Sequence, residues 1–441
     1  MINHSSHGLI DEIRRKIQDR ELSFIVGSGF SKNISNIYPS WKELLLPAVQ
    51  DICSSEISGS NTAETILERT GYLQFASQYV KKHGYHEAID VYIRSHIPVL
   101  EKGNVLMLDG QDTGEAVDMS CHELLKQTGV RNIYTFNYDN ALEYAFDAVN
   151  PSEIYRDDTH VSMLTQLRDD YKNDVKNEDF SEANRILDKI IRIWELDLSL
   201  HEFSDRSLSD STCSEKFSGQ KEKSEQNLTI IETKIHSLKN SRLDADRRMT
   251  GKYQIITKAC DISLTENRYN IYKLHGTIGE WYGFDKDNHC HFIISGEDYE
   301  SYPVHHEPFV NLMRIALLKG SFCLVGFGAE DPNFLAWIGW VKDILDAGND
   351  GYAGARKRIY YICVGNQTLN EGKKLLLDNH YIQPVVLKEL YPEAGNEKEQ
   401  MKAFLKDVTP RNPYDIYRKA WDGIEIDVPW DESKAVILNM D

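Results

Sequence analysis

Short apolar runs of strand length alternate along this chain with longer stretches in which apolar residues recur every three or four positions. Leu9, Ile10, Ile13 and Ile17 share one face of a predicted helix. "LSFIVG" follows as a buried strand and breaks into "GSGFSK", which reads as a strand-to-helix turn. "SWKELLLPAV" continues as a short helix with Ser40 as its N-cap. Residues 64–100 read as helical, and "CHELLKQTGVRNIYTFNYDNALEYAF" predicts helix, loop, strand, polar turn and helix in that order. Asn140 and Glu143 have the spacing of a capping box for the last of these helices. The same alternation returns after residue 268, through "NIYKLHGT", "PFVNLMRIALLKG", "SFCLVGFG", "NFLAWIGWVKDIL", "RIYYICVGN", "EGKKLLLDN", "IQPVVL" and "KEQMKAFLKDV". Strands alternating with helices predict an α/β fold with a parallel sheet covered on both faces.

Residues 150–268 interrupt this pattern. "EANRILDKIIRIWELDL" and "NLTIIETKIHSLKNSRL" have helical periodicity, but the Ser-rich, charged stretch at about 205–227 cannot bury much apolar surface. The expected organisation is a core in two parts, 1–149 and 269–408, with a helical insertion at 150–268 whose tip is a loose loop. Residues 409–441 form a C-terminal extension with no readable role.

Composition narrows the function classes. A net charge of −19 argues against a broad nucleic-acid surface on this chain, which needs clustered Lys and Arg. No apolar run approaches the roughly 20 residues that span a bilayer, and the N-terminus lacks a signal peptide's apolar block, so a cytoplasmic, membrane-free protein is expected. The seven cysteines include no C-x-x-C pair, which excludes a zinc ribbon and fits a reducing compartment. His289, His291, His305 and His306 cluster in sequence but lack H-E-x-x-H spacing, and no metal is expected.

The chemistry is expected beyond the carboxyl ends of the strands, where open parallel sheets bind ligands. Four predicted strand ends carry glycine or polar residues: "VGSGFS", "YTFNYDN", "KLHGT" and "LVGFGAED". Gly27-Ser28-Gly29 allows close backbone approach to a diphosphate, although Lys32 stands where the third glycine of G-x-G-x-x-G belongs; an ordinary tight turn is the alternative. Asn137 can hold a sugar hydroxyl or a water and Asp139 can accept from an amide, with helix capping as the alternative for Asp139. His275, followed by a glycine, can deprotonate a hydroxyl or water, while a lone histidine is otherwise structural.

Taken in this order, "GSGFSK…PSWKELL", "YTFNYDNALE", "YKLHGTI" and "LVGFGAEDPNF" resemble the sirtuin-like (SIR2-like) family, over residues from about 8 to 145 and 268 to 408. The likeness is nearer to the bacterial branch used in anti-phage defence than to protein deacylases. Deacylating sirtuins carry paired cysteines, absent here, and a Pro-Asp-Phe-Arg stretch where this chain has Pro39-Ser40-Trp41-Lys42.

The resemblance implies a Rossmann-like core that takes NAD+ as substrate. It places Gly27, Ser28 and Gly29 at the pyrophosphate, with Ser31 among the substrate contacts. Asn137 would position the nicotinamide ribose and a water, Asp139 would lie near the carboxamide, and His275 would be the base. Gly326 and Phe327 would lie near the phosphates and Asn366 at the adenosine end. The expected activity is NAD+ hydrolysis to nicotinamide and ADP-ribose by a gated, homo-oligomeric effector, triggered by a phage component or a companion HerA-type ATPase. A module that senses NAD+ or ADP-ribose without turnover is the alternative, and an NAD-dependent deacylase a third.

Overall fold

The structure, a computed structural model, describes residues 4–84, 86–149, 156–177, 179–194, 223–239, 252–265, 268–278, 292–347, 359–365 and 369–410. Ten strands run through the described residues: β1 Leu22–Val26, β2 Val99–Glu101, β3 Val105–Leu108, β4 Gln111–Asp112, β5 Asn132–Thr135, β6 Tyr253–Ile256, β7 Tyr269–Lys273, β8 Ser321–Val325, β9 Ile359–Cys363 and β10 Ile382–Val386. Seven of them form one sheet in the order β10-β9-β8-β1-β5-β7-β6, and every neighbouring pair is parallel.

The apolar runs explain why the sheet lies between helices. Successive side chains of a strand point to opposite faces. Phe24 and Val26 of β1, with Cys323 and Val325 of β8, enter a core shared with Ile10, Ile13 and Ile17 of helix His4–Gln18 and Phe404 of helix Glu397–Val408. Ile25, Phe322 and Leu324 enter the opposite core, against Val310 and Met313 of helix Glu307–Lys319 and Phe334 and Trp337 of helix Pro332–Ala347. The result is the α/β architecture that the alternation predicts, Rossmann-like as the resemblance implies.

Three features differ from expectation. Strand β6 lies inside the stretch expected as a helical insertion; its residues Tyr253, Gln254, Ile255 and Ile256 are all buried at the sheet edge beside β7. Strands β2, β3 and β4 make a small antiparallel sheet that begins at Val99, inside the end of the stretch read as helical, on runs too short to show a period. Asn140 does not cap helix Ala141–Phe146 with its side chain. Its amide instead pairs with both backbone groups of Leu100, at 2.9 Å each, which ties β2 to that helix.

Helices Trp41–Cys53, Ala63–Thr70, Tyr72–His83 and His86–His96 build a lobe with its own core of Leu44, Val49, Leu67, Phe75 and Ile93. Tyr138, Ile278 and Phe292 join that core and fasten the lobe over the sheet's carboxyl edge. Ser40 caps the first of these helices in a full capping box with Glu43. A separate group of helices, Arg156–Lys176, Phe180–Trp194 and residues 223–239, buries Leu164, Tyr171, Leu187, Ile190 and Ile231 among themselves. Of the stretch read as a loose tip, residues 223–227 begin that last helix and 205–222 lie outside the described residues, as do 411–441 of the C-terminal extension.

Candidate active site

β1 is where the strand order changes direction, with β5 on one side and β8 on the other. Ligands of open parallel sheets bind at such a point, outside the carboxyl ends of the strands. Here a cavity of about 600 Å³ opens beyond β8, β1, β5 and β7, four adjacent strands. Its floor includes Gly27, Ser28, Asn137, Asp139, His275 and Gly326; Trp41, Lys42, Leu44, Tyr72 and Gln74 of the helical lobe form its roof.

One corner of the floor is made of backbone. Gly27 donates its amide to the Val325 carbonyl and Gly29 donates to the Gly326 carbonyl, each at 3.0 Å. A Cβ on Gly27 would stand 2.4 Å from the Gly326 oxygen, and one on Gly326 would stand 2.0 Å from the Phe30 nitrogen. Gly326 also has φ +59, a left-handed conformation that favours glycine. The glycines are therefore required first by the contact between the β1 and β8 turns. Two amides expected to face a phosphate are already occupied, and Gly27 and Ser28 line the cavity while Gly29 lies behind them. Phe327 also lines the cavity, but its ring stacks on Phe136 at 4.8 Å and forms an apolar wall.

The centre of the floor is a buried polar chain. Thr135 at the end of β5 donates to the Val26 carbonyl at 2.8 Å and accepts the Asn137 amide at 3.1 Å. Asn137 Nδ2 donates to Ser31 Oγ at 3.2 Å, and Ser31 Oγ donates to Asp139 Oδ2 at 2.9 Å. Ser31 thus sets the orientation of both neighbours from the opposite strand end. Asp139 Oδ1 accepts the Ala141 amide at 3.1 Å, so Asp139 serves as the helix cap as well. Beneath it Lys273 Nζ bonds the Asp139 carbonyl at 2.5 Å and pairs with Glu143 Oε1 at 2.8 Å, with both side chains out of solvent. Burial pushes the Glu143 carboxyl up, and the Lys273 ammonium opposes that shift.

The third corner holds His275, which follows β7 and is 2% exposed. Asn333 Nδ2 lies 3.3 Å from its Nε2 and Tyr299 Oη lies 3.5 Å from its Nδ1. Both distances exceed those of a well-formed hydrogen bond, so the ring is aimed but not locked. The Phe136 ring meets its edge at 4.7 Å. Burial lowers the pKa of His275 to about 3, against a smaller opposing pull from Asp298. The imidazole is therefore neutral at physiological pH.

Gly27, Ser28, Asn137, Asp139, His275, Gly326 and Phe327 all meet at one cavity, and Ser31 reaches it through Asn137 and Asp139. Asn366 lies outside the described residues. Tyr299, Asp331 and Asn333 went unrecognised as site residues in the sequence. Asp331 and Asn333 stand in plain view within "AEDPNF", where their position at a helix start reads as capping, and Tyr299 sits in an ordinary helical pattern. Among the described residues no cluster of three or more His, Cys, Asp or Glu is placed to hold a metal ion. None of the described helices is long and apolar enough to cross a membrane.

Comparison with known proteins bears on the same residues. The family of SIR2-like domains matches residues 239–385, a stretch that includes β6, β7, His275, Gly326 and Asp331. The NAD(+) hydrolase ThsA of Acinetobacter baumannii (strain 532279) is similar over 97 residues at 31% identity, a match that covers 22% of this chain and 17% of that protein. The stretch similar to SIR2-like domains, a third of the chain, supplies β6, β7, β8, β9 and most of β10 of the Rossmann-like parallel sheet.

Proposed function

We propose that the chain is an NAD+ hydrolase that releases nicotinamide and ADP-ribose. The observation that carries this reading is the convergence of Asn137, Ser31, Asp139 and His275 on a cavity at the switch point of a SIR2-like sheet. The similarity to an NAD(+) hydrolase supports it. Cleavage of the N-glycosidic bond builds positive charge on the ribose, an oxocarbenium-like state. In this reading Asn137 holds the ribose and the attacking water, Asp139 receives the carboxamide, and the Gly27-Ser28 turn lies along the pyrophosphate. His275 takes a proton from the water, and orientation inside a closed cavity lowers the barrier further.

Free NAD+ hydrolysis would empty a cell of the cofactor, so the activity is read as gated. The resemblance to anti-phage effectors supports a phage trigger or a HerA-type ATPase as the gate, and a homo-oligomer as the active form. One observation favours a second reading, a sensor that binds NAD+ without turnover: both His275 nitrogens have partners and the ring is a weak base. Nicotinamide release from NAD+ by the purified chain separates the two. Release that stops with His275→Ala supports the hydrolase; binding without release supports the sensor.

A further inference from the structure

One cavity-lining carboxylate has no part in the hydrolase reading. Asp331 immediately precedes helix Pro332–Ala347, and its Oδ1 accepts the Phe334 amide at 3.0 Å, as a capping residue does. Capping uses only that oxygen. Oδ2 faces the site, where it accepts the Tyr299 hydroxyl at 2.7 Å and lies 3.9 Å from His275 Nε2. Tyr299, its proton committed to Asp331, presents its oxygen to His275 Nδ1. Carboxylate and phenol thus bracket the imidazole on both nitrogens, with Asn333 donating to Nε2 from the same helix.

We propose that Asp331 is the charge partner of His275, positioning the ring and holding its imidazolium, with Tyr299 keeping the two in register. This rests on the hydrolase reading. In the step it serves, the bond from the ribose C1′ to nicotinamide breaks and its electron pair leaves with nicotinamide. The water oxygen bonds to C1′, and one water proton passes to His275 and then to solvent. Asp331 stays ionised throughout, as the carboxylate of a catalytic triad does.

The surroundings of Asp331 make this pairing titrate in a useful range. Tyr138 from the β5 end, His275 from the β7 end, and Asp298, Tyr299 and Tyr302 of helix Gly296–His305 face this corner. On its own loop Glu330 is paired with Lys373 at 2.7 Å. Burial raises Asp331 to about 6, opposed by the hydrogen bonds from Tyr299 and the Phe334 and Asn333 amides. The rate therefore rises with pH as Asp331 ionises, and the isolated ring's own weak basicity does not set the acid limb.

Asp331→Asn keeps the cap, because Asn caps as well as Asp. The expected result is a kcat about 100-fold lower at a nearly unchanged KM, with the acid limb near pH 6 gone. Asp331→Glu should restore a limb, and Tyr299→Phe should move it to higher pH by removing a bond that favours the ionised carboxylate. A folded Asp331→Asn enzyme with the wild-type rate and limb overturns the proposal. A second readout needs no turnover: the ¹⁵N shifts of His275 at neutral pH should report an Nδ1–H tautomer in the wild type that Asp331→Asn disturbs. Identical ring signals in the two proteins overturn the pairing even if the chain proves to be a sensor, whereas absent turnover with a disturbed tautomer overturns only the hydrolase reading.

Discussion

Two histidines are buried, His122 behind the glycine turn and His275 in the cavity lining, and their surroundings differ. His122 is 0% exposed, packs on the Phe30 ring at 4.6 Å beneath the glycine turn, and neither ring nitrogen has a hydrogen-bond partner among the described residues. His275 is nearly as buried, yet a tyrosine, an asparagine and a carboxylate surround its nitrogens and the ring borders the cavity. Burial lowers both rings to about 3, so depressed basicity alone does not mark a site. The glycine corner around His122 is a close-packed joint between two strand ends. The His275 corner has long, exchangeable contacts that a substrate can replace.

That contrast fixes an order of consequences. Gly326→Ala strikes the joint, where a Cβ would meet the Phe30 nitrogen at 2.0 Å in a left-handed backbone. A loss of at least about 4 kcal/mol is expected, and thermal melting should show a protein that unfolds early or does not accumulate. Asn137→Ala and His275→Ala strike the other corner: each should cut nicotinamide release by about 100- to 10,000-fold while the melting temperature moves little. Ser31→Ala removes the hydroxyl that Asn137 and Asp139 share, and turnover should fall about tenfold through a less ordered floor.

The last effect is confined to acid and leaves neutral pH untouched. His122 binds no proton in the fold until about pH 3 but does so below 6.5 when unfolded. Its contribution is therefore present above pH 6.5 and is lost progressively as pH falls towards 3. His275 acts in the same direction, while Asp331, raised from 3.8 to about 6, opposes them within that range. His122→Leu should flatten the fall in denaturation free energy by up to about 1.4 kcal/mol per pH unit in that window, with activity at neutral pH retained.

Much of this arrangement was legible in the chain because it rests on short-range physics. The apolar runs of β1, β5, β7, β8 and β9 are buried on both faces, and the residues that follow four of them line the cavity. Ser40 is the N-cap that its context predicts, and Glu43 completes the box. What escaped depends on partners far along the chain. Asn140 has capping spacing, but β2 supplies a stronger pair of backbone bonds some forty residues earlier. β6 reads as part of an insertion because a four-residue run becomes a strand only through distant partners, β7 on one side and Val149 on the other. The lobe that roofs the site was visible as helices, but its place over the sheet is set by Tyr138, Ile278 and Phe292, which no periodicity reveals. Asp331 caps the helix that follows it, and its second oxygen has a meaning only once Tyr299 and His275 are brought beside it.

Whether the His275 corner performs chemistry on NAD+ is read most plainly from nicotinamide release by the purified wild-type chain beside His275→Ala, with NAD+ binding followed in both. A hydrolase gives nicotinamide and ADP-ribose in equal amounts from the wild type and none from a variant that still binds NAD+. Equal release from the two proteins, or NAD+ bound by both without release by either, would contradict the hydrolase reading.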